Sequence, residues 1–192
     1  MRLSCNIQEA IDVMARGGAV IYPTDTVFGL GVNALDREAI RRLYRIKNRP
    51  LNRPMPVIVA DIKMAKKLAY INDKTEKILE AVWPGAVTVI LQKKDGGTIG
   101  LRIPNHPVPI QLAQNFPITG TSANLSGEET GKNIFQVQRH FQNHYPQPDL
   151  ILDLDGGIRN QPSTVLDLTT PKPKIMRIGP VNKTQLLELL KI

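Results

Sequence analysis

Short β-branched runs alternate with capped amphipathic stretches through the first half of this 192-residue chain, and that alternation most constrains its fold. Ile7 to Ala15 has helical periodicity and stops at Gly17-Gly18. Ala19 to Tyr22 is an apolar run ended by Pro23 and reads as a buried strand. Asp36 is placed to cap a helix from Arg37 to Ile46, with Ala39, Leu43 and Ile46 inward. Pro54 to Val59 reads as the next strand, and Asp61 caps a short helix to Ala69. Asp73 with Glu76 resembles a capping box opening a helix that Pro84-Gly85 breaks. From there the pattern changes. Ala86 to Gln92 and Thr98 to Ile103 flank turn residues and predict a hairpin. Val108 to Gln114 reads as a brief helix, Pro117 to Thr119 as a strand entry, and Asn133 to Phe141 as a helix. Leu150 to Leu154, Thr164 to Leu168 and Ile175 to Arg177 read as late strands, and Asn182 with Gln185 opens a terminal helix. Alternation followed by hairpins predicts an α/β fold with a twisted mixed sheet and helices on both sides, not a purely doubly wound one. No repeat, low-complexity segment or long Gly/Ser linker divides the chain, so residues 1–192 read as one domain.

Composition narrows the function. Hydrophobic residues make up 42% and charged residues 22%, as in an ordinary soluble globular protein. No apolar run approaches the ~18 residues that suggest a membrane span, and Met1 to Glu9 lacks a signal peptide's apolar stretch. Cys5 is the lone cysteine, which excludes an internal disulfide and makes a reducing cytoplasm the default location. His106, His140 and His144 are scattered; His140 and His144, four apart, read as a solvated helix face. The net charge of +8 favours a polyanionic partner, nucleotide or nucleic acid. From Arg37 to Arg53 the basic residues Arg37, Arg41, Arg42, Arg45, Lys47, Arg49 and Arg53 face only one acid, Glu38.

Familiar nucleotide fingerprints are missing. There is no Walker loop, and Gly29-Leu30-Gly31 is a lone G-x-G read as part of a glycine-bracketed turn. Any ATP site must therefore come from strand ends and loops. Tyr22-Pro23-Thr24-Asp25-Thr26 delivers small polar residues from a strand end, where α/β proteins place ligands; a plain polar turn is the alternative. In Lys47-Asn48-Arg49-Pro50, Pro50 biases Arg49 to an extended conformation, and an extended Lys47 would project to the same side, suiting a phosphate or carboxylate. Thr98, Gly100 and Arg102 share a strand face before Pro104, and Gly100 leaves room for a ligand; an edge-strand charge is the alternative for Arg102. Thr119 to Gly127 is a dense run of hydroxyl and amide groups suited to phosphate oxygens. Ser163 after Pro162, and Arg177 before Gly179-Pro180, are weak signals alone.

Taken in order, Pro23-Thr24-Asp25-Thr26 with Gly29-Leu30-Gly31, Lys47-x-Arg49-Pro50, Pro84-Gly85 before Thr88, Gly100-Leu101-Arg102-x-Pro104, Thr121-Ser122-Ala123-Asn124 and Pro162-Ser163-Thr164 resemble the YrdC-like family of threonylcarbamoyl-AMP synthases. The resemblance spans nearly the whole chain, and the end at Ile192 is similar to the short form of that family. It implies a central binding cavity and the synthesis of threonylcarbamoyl-AMP and pyrophosphate from L-threonine, bicarbonate or CO2, and ATP with Mg2+. The product would pass to downstream tRNA threonylcarbamoyl-transfer proteins. It implies that Thr24, Arg102, Ser122 and Ser163 bind threonine, that Lys47, Thr98, Asn124 and Arg177 bind ATP, and that Lys47 and Arg49 serve catalysis. Two departures stand out: Ala60 occupies the place of a histidine found in many relatives, and Thr130-Gly131-Lys132 that of a Ser-Pro-Thr. The rival reading is a non-enzymatic RNA- or tRNA-binding module. The charge supports it, but aromatic residues are only 5% and no RRM or KH signature is present.

Overall fold

The structure, a computed structural model, describes residues 1–154 and 161–190; residues 155–160 and 191–192 of the expected single domain lie outside the described residues. The described strands form two mixed sheets where the sequence suggested one. The first contains β1 (Arg2–Ser4), β2 (Val20–Tyr22), β3 (Gly29–Gly31), β8 (Thr121–Ser122) and β9 (Leu150–Leu152) in the order β1-β9-β2-β3-β8. The second contains β4 (Val57–Ile58), β5 (Val87–Gln92), β6 (Thr98–Arg102), β7 (Ile118–Thr119), β10 (Thr164–Asp167) and β11 (Lys174–Arg177) in the order β11-β10-β5-β6-β4-β7.

Strand periodicity sorts the core. Val20 and Tyr22 of β2 and Leu150 and Leu152 of β9 pack with Ala10, Val13 and Met14 of α1 (Ile7–Ala15) and Leu112 of α5 (Pro107–Leu112). Ile21 and Ile151, one residue out of phase, pack with Ala39, Leu43 and Ile46 of α2 (Arg37–Ile46) and Phe141 of α6 (Ile134–Phe141). This sheet therefore has helices on both sides, as expected. In the second sheet Val87, Val89, Leu91 and Leu101 pack with Ala65 of α3 (Ile62–Leu68), Leu79 and Val82 of α4 (Asp73–Val82) and Leu186 of α7 (Lys183–Leu190). Thr88, Gly100 and Arg102 alternate with these residues and so take the opposite face. Among the described residues no helix is long and apolar enough to cross a membrane.

The expected β5–β6 hairpin forms, pairing Gln92 with Thr98. Asp36, Asp61 and Asn133 cap α2, α3 and α6, and Asn182 and Gln185 bond reciprocally. Three readings are corrected. Asn72, not Asp73, caps α4, because its side chain accepts from the Thr75 N–H. Gly29-Leu30-Gly31 is a strand, not a turn, paired antiparallel with β2. α6 ends at Phe141, so His144 is off the helix; its Nε2 lies 3.3 Å from the Arg45 carbonyl, and His140 Nδ1 pairs with Glu128 at 2.6 Å.

The sheets meet where β7 passes directly into β8. Gly120 joins them, and a Cβ there would sit 2.8 Å from Ile58. Tyr22 lies beneath this seam, its hydroxyl donating to the Thr119 carbonyl at 3.1 Å. A Cβ on Gly29 would meet the Tyr22 ring at 2.6 Å, and one on Gly31 would meet the Thr119 carbonyl at 2.4 Å. The G-x-G pair is thus explained by close packing around a buried tyrosine.

Candidate active site

Strand ends from both sheets line a cavity of about 190 Å3 at the seam, among them Thr24, Thr26, Thr88, Arg102, Ser122, Ser163 and Arg177. A second cavity, about 480 Å3, adjoins it and includes Tyr44, Lys93, Thr98, Gly100 and Val165. Arg49, Pro56, Thr88 and Arg177 line both and form the neck between them. The outer cavity carries Arg49, Lys93 and Arg177 and no carboxylate among its described lining residues, a field suited to phosphate groups.

Arg102 forms one wall of the inner cavity. It belongs to an interior strand, not an edge, and is only 7% exposed. Its Nε donates to the Gly85 carbonyl at 2.9 Å, one terminal nitrogen to Thr26 Oγ1 at 2.9 Å, and the other to Asp25 Oδ1 at 2.6 Å. The second Asp25 oxygen accepts the Asn105 N–H at 3.3 Å. Three of the five guanidinium N–H groups are thereby fixed, leaving two for a carboxylate. Burial depresses the Arg102 pKa, and the Asp25 charge opposes that shift. Thr24 Oγ1 donates to the Val27 carbonyl at 2.7 Å and accepts the Thr26 N–H at 3.0 Å, so the polar turn and the site wall are the same structure.

On the opposite wall, Ser163 Oγ and Thr88 Oγ1 are 2.9 Å apart. Arg177 lies across Ser163, donating from Nε and a terminal nitrogen to its carbonyl at 3.0 and 2.8 Å. Gly179 permits this crossing: a Cβ there would lie 2.2 Å from the Pro162 carbonyl and 2.5 Å from the Thr164 nitrogen. Burial lowers the Arg177 pKa.

The Lys47–Arg49 geometry differs from the expectation. Lys47 closes α2 in a helical conformation and Asn48 follows at φ 48°, so the stretch is not extended. Pro50 restricts only its immediate neighbour, and the helix decides Lys47. Lys47 is 2% exposed, and its Nζ donates inward to the Ser122 carbonyl, the Asn124 carbonyl at 2.7 Å and Asn124 Oδ1 at 3.4 Å. Burial, reinforced by the nearby Arg49 charge, pulls the Lys47 ammonium down to about 7. Arg49 takes another course, donating to the Arg53 and Pro54 carbonyls at 2.9 and 3.1 Å beside the neck.

Of the residues named from sequence, Thr24, Arg49, Arg102, Ser122, Ser163 and Arg177 line the inner cavity, and Thr98 lines the outer one. Lys47 and Asn124 line neither. The Asn124 amide is fully engaged, donating to the Leu125 and Glu128 carbonyls and accepting from Ser122 and Lys47. Sequence reasoning passed over Tyr22 and the Asp25–Arg102 pair; the two glycines facing the tyrosine were the available signal for the first. The basic cluster is also partly structural, since Arg42 makes a bidentate pair with Asp149 and Arg41 pairs with Glu38.

The sequence matches the Sua5/YciO/YrdC family, described as telomere recombination, over residues 12–179. A threonylcarbamoyl-AMP synthase of Cellvibrio japonicus is 30% identical over 88% of this chain and 94% of that protein. The crystal structure of Pyrococcus abyssi Sua5 complexed with L-threonine superposes with a TM-score of 0.87 at 31% identity, covering 95% of this chain. This chain spans little more than half, 56%, of that longer protein. Escherichia coli YciO superposes with a TM-score of 0.80 at 26% identity, covering 96% of each chain. The chain belongs to the Sua5/YciO/YrdC family.

Proposed function

We propose that this chain is a threonylcarbamoyl-AMP synthase: a cytoplasmic nucleotidyltransferase that joins L-threonine, bicarbonate and ATP into threonylcarbamoyl-AMP, releasing pyrophosphate. One observation carries the reading. A small cavity with a buried, partly committed arginine adjoins, at a cationic neck, a larger cavity with no carboxylate among its described lining residues, in a chain that superposes on a Sua5 crystallised with L-threonine.

In this reading Arg102 receives the threonine carboxylate on its two uncommitted N–H groups, and Thr24, Ser122 and Ser163 orient the amino acid. The threonine amine, once neutral, takes up the one-carbon unit of bicarbonate as a carbamate with loss of water. A carbamate oxygen then attacks the α-phosphorus, and the bond to the pyrophosphate oxygen breaks. No covalent enzyme intermediate is needed. The task is to bring two anions together, and Arg49 and Arg177 at the neck, with Thr98 further out, supply charge and alignment. Lys47 and Asn124 contribute from beneath by fixing Ser122.

Mg2+ would arrive with the nucleotide. Among the described residues no three His, Cys, Asp or Glu side chains gather into a metal site, and both Asp25 oxygens are engaged. These residues do not fit a resident metal, so no step is assigned to one. The product, an activated carbamoyl adenylate, suits consumption by a tRNA-modifying transfer protein. The test is pyrophosphate release with each reactant omitted in turn. Release should require both threonine and bicarbonate; release indifferent to both would leave only an ATPase.

A further inference from the structure

The carbamate carbon must lie between the threonine amine and the α-phosphorus, and the neck is where the two cavities share described lining residues. Thr88 is 5% exposed and lines both cavities, whereas Ser163 lines only the inner one. The hydroxyl pair holds two protons, and the 2.9 Å contact between Thr88 Oγ1 and Ser163 Oγ uses one. Arg177 donates to Ser163 Oγ at 3.3 Å, so that oxygen is already an acceptor. Among the described residues no further oxygen accepts from either hydroxyl, which leaves one hydroxyl proton uncommitted. With Ser163 donating to Thr88, the free proton is that of Thr88, and the neck offers this hydroxyl donor beside the arginines Arg49 and Arg177, an arrangement for the oxygens of a small planar anion.

We infer that Thr88 forms, with Arg177, a subsite for the carboxyl oxygens of bicarbonate and of the carbamate made from it, placed between the threonine and nucleotide subsites and sharing Arg177 with the latter. This rests on the synthase reading above. Its place in the sheet supports the assignment. Thr88 belongs to β5, held between β10 and β6, and points away from the core face of Val87 and Val89, so its hydroxyl has a fixed position that a loop residue would lack.

Thr88→Val keeps the shape and removes the hydroxyl. With saturating threonine and ATP, the bicarbonate KM should rise roughly tenfold, the loss expected for a hydrogen bond to a charged group. The threonine and ATP KM values should stay within about twofold, and Thr88→Ser should restore most of the bicarbonate affinity. A rise in threonine KM with bicarbonate KM unchanged would put Thr88 in the amino-acid subsite and overturn the inference, as would unchanged values for all three reactants. A wild-type protein whose pyrophosphate release ignores bicarbonate would defeat the synthase reading itself. If Thr88→Val melts well below wild type, Thr88→Cys serves in its place under the same criteria.

Discussion

Removing Asp25 would test whether the inner cavity is built around a buried charge pair. Asp25 and Arg102 have side-chain exposures of 13% and 9% and meet at 2.6 Å. Asp25→Ala leaves the guanidinium buried with, among the described residues, the Gly85 carbonyl and Thr26 hydroxyl as its partners. Breaking one side of a buried pair costs about 3–5 kcal/mol. At roughly 2–4 °C per kcal/mol for a domain of this size, the melting temperature should fall by about 6–20 °C. Replacing both partners, Asp25→Ala with Arg102→Met, removes the stranded charge and should recover much of that loss. Circular dichroism melts of the wild type, both single variants and the double variant complete the cycle. Threonine KM supplies the functional arm: it should rise in Asp25→Ala at temperatures where the variant is folded, and binding should be lost in the double variant. A stability change under about 0.5 kcal/mol in Asp25→Ala would refute the reasoning, because surface substitutions give values of that size.

Two other predictions concern the cations. Arg49→Ala should cut synthesis at least about tenfold through loss of a charge-assisted contact, with a normal melt, whereas Arg41→Ala, at a residue that pairs with Glu38 on the surface, should do little. Equal small effects with a matching loss of tRNA affinity would favour an RNA-binding module. Lys47 predicts a pH signature in stability. Its folded pKa of about 7 lies below the ordinary 10.5, so between those values the unfolded chain holds a proton that the folded chain has released. The stability of wild type relative to Lys47→Met should therefore rise with pH across that window, by up to about 1.4 kcal/mol per unit, and level off below it. Denaturant titrations from pH 6 to 10 measure the difference, and a gap independent of pH would contradict the assignment.

The parts of the fold legible in the sequence were those set by local chemistry. Asp36, Asp61 and Asn133 cap helices because their short oxygens reach orphan N–H groups, and the turn between Gln92 and Thr98 fixes its own hairpin. What stayed hidden depends on distant partners. Arg2–Ser4 is mostly exposed and becomes a strand by pairing with Leu150–Leu152. Gly29–Gly31 carries turn residues, yet Tyr22 and Thr119 require that absence of side chains in a strand. The chain passes from one sheet to the other at Gly120, whose lack of a side chain matters because Ile58 lies against it. The site divides in the same way. Thr24, Arg102, Ser122 and Ser163 could be named from ordered motifs and Arg177 from the resemblance they carry, but spacing alone misjudged Lys47, because it closes α2 in a helical conformation with its ammonium turned toward Asn124. The Asp25 pairing and the reach of Thr88 into both cavities follow from tertiary placement alone.

The most direct measurement of the central claim is the mass of the product. The protein is incubated with ATP, L-threonine, Mg2+ and 13C-bicarbonate, and the nucleotides are separated at once. The account predicts threonylcarbamoyl-AMP carrying the heavy carbon, formed in step with pyrophosphate and absent when threonine is withheld. Formation of AMP or ADP with no carbon-labelled adenylate, by a folded protein at saturating reactants, would contradict it.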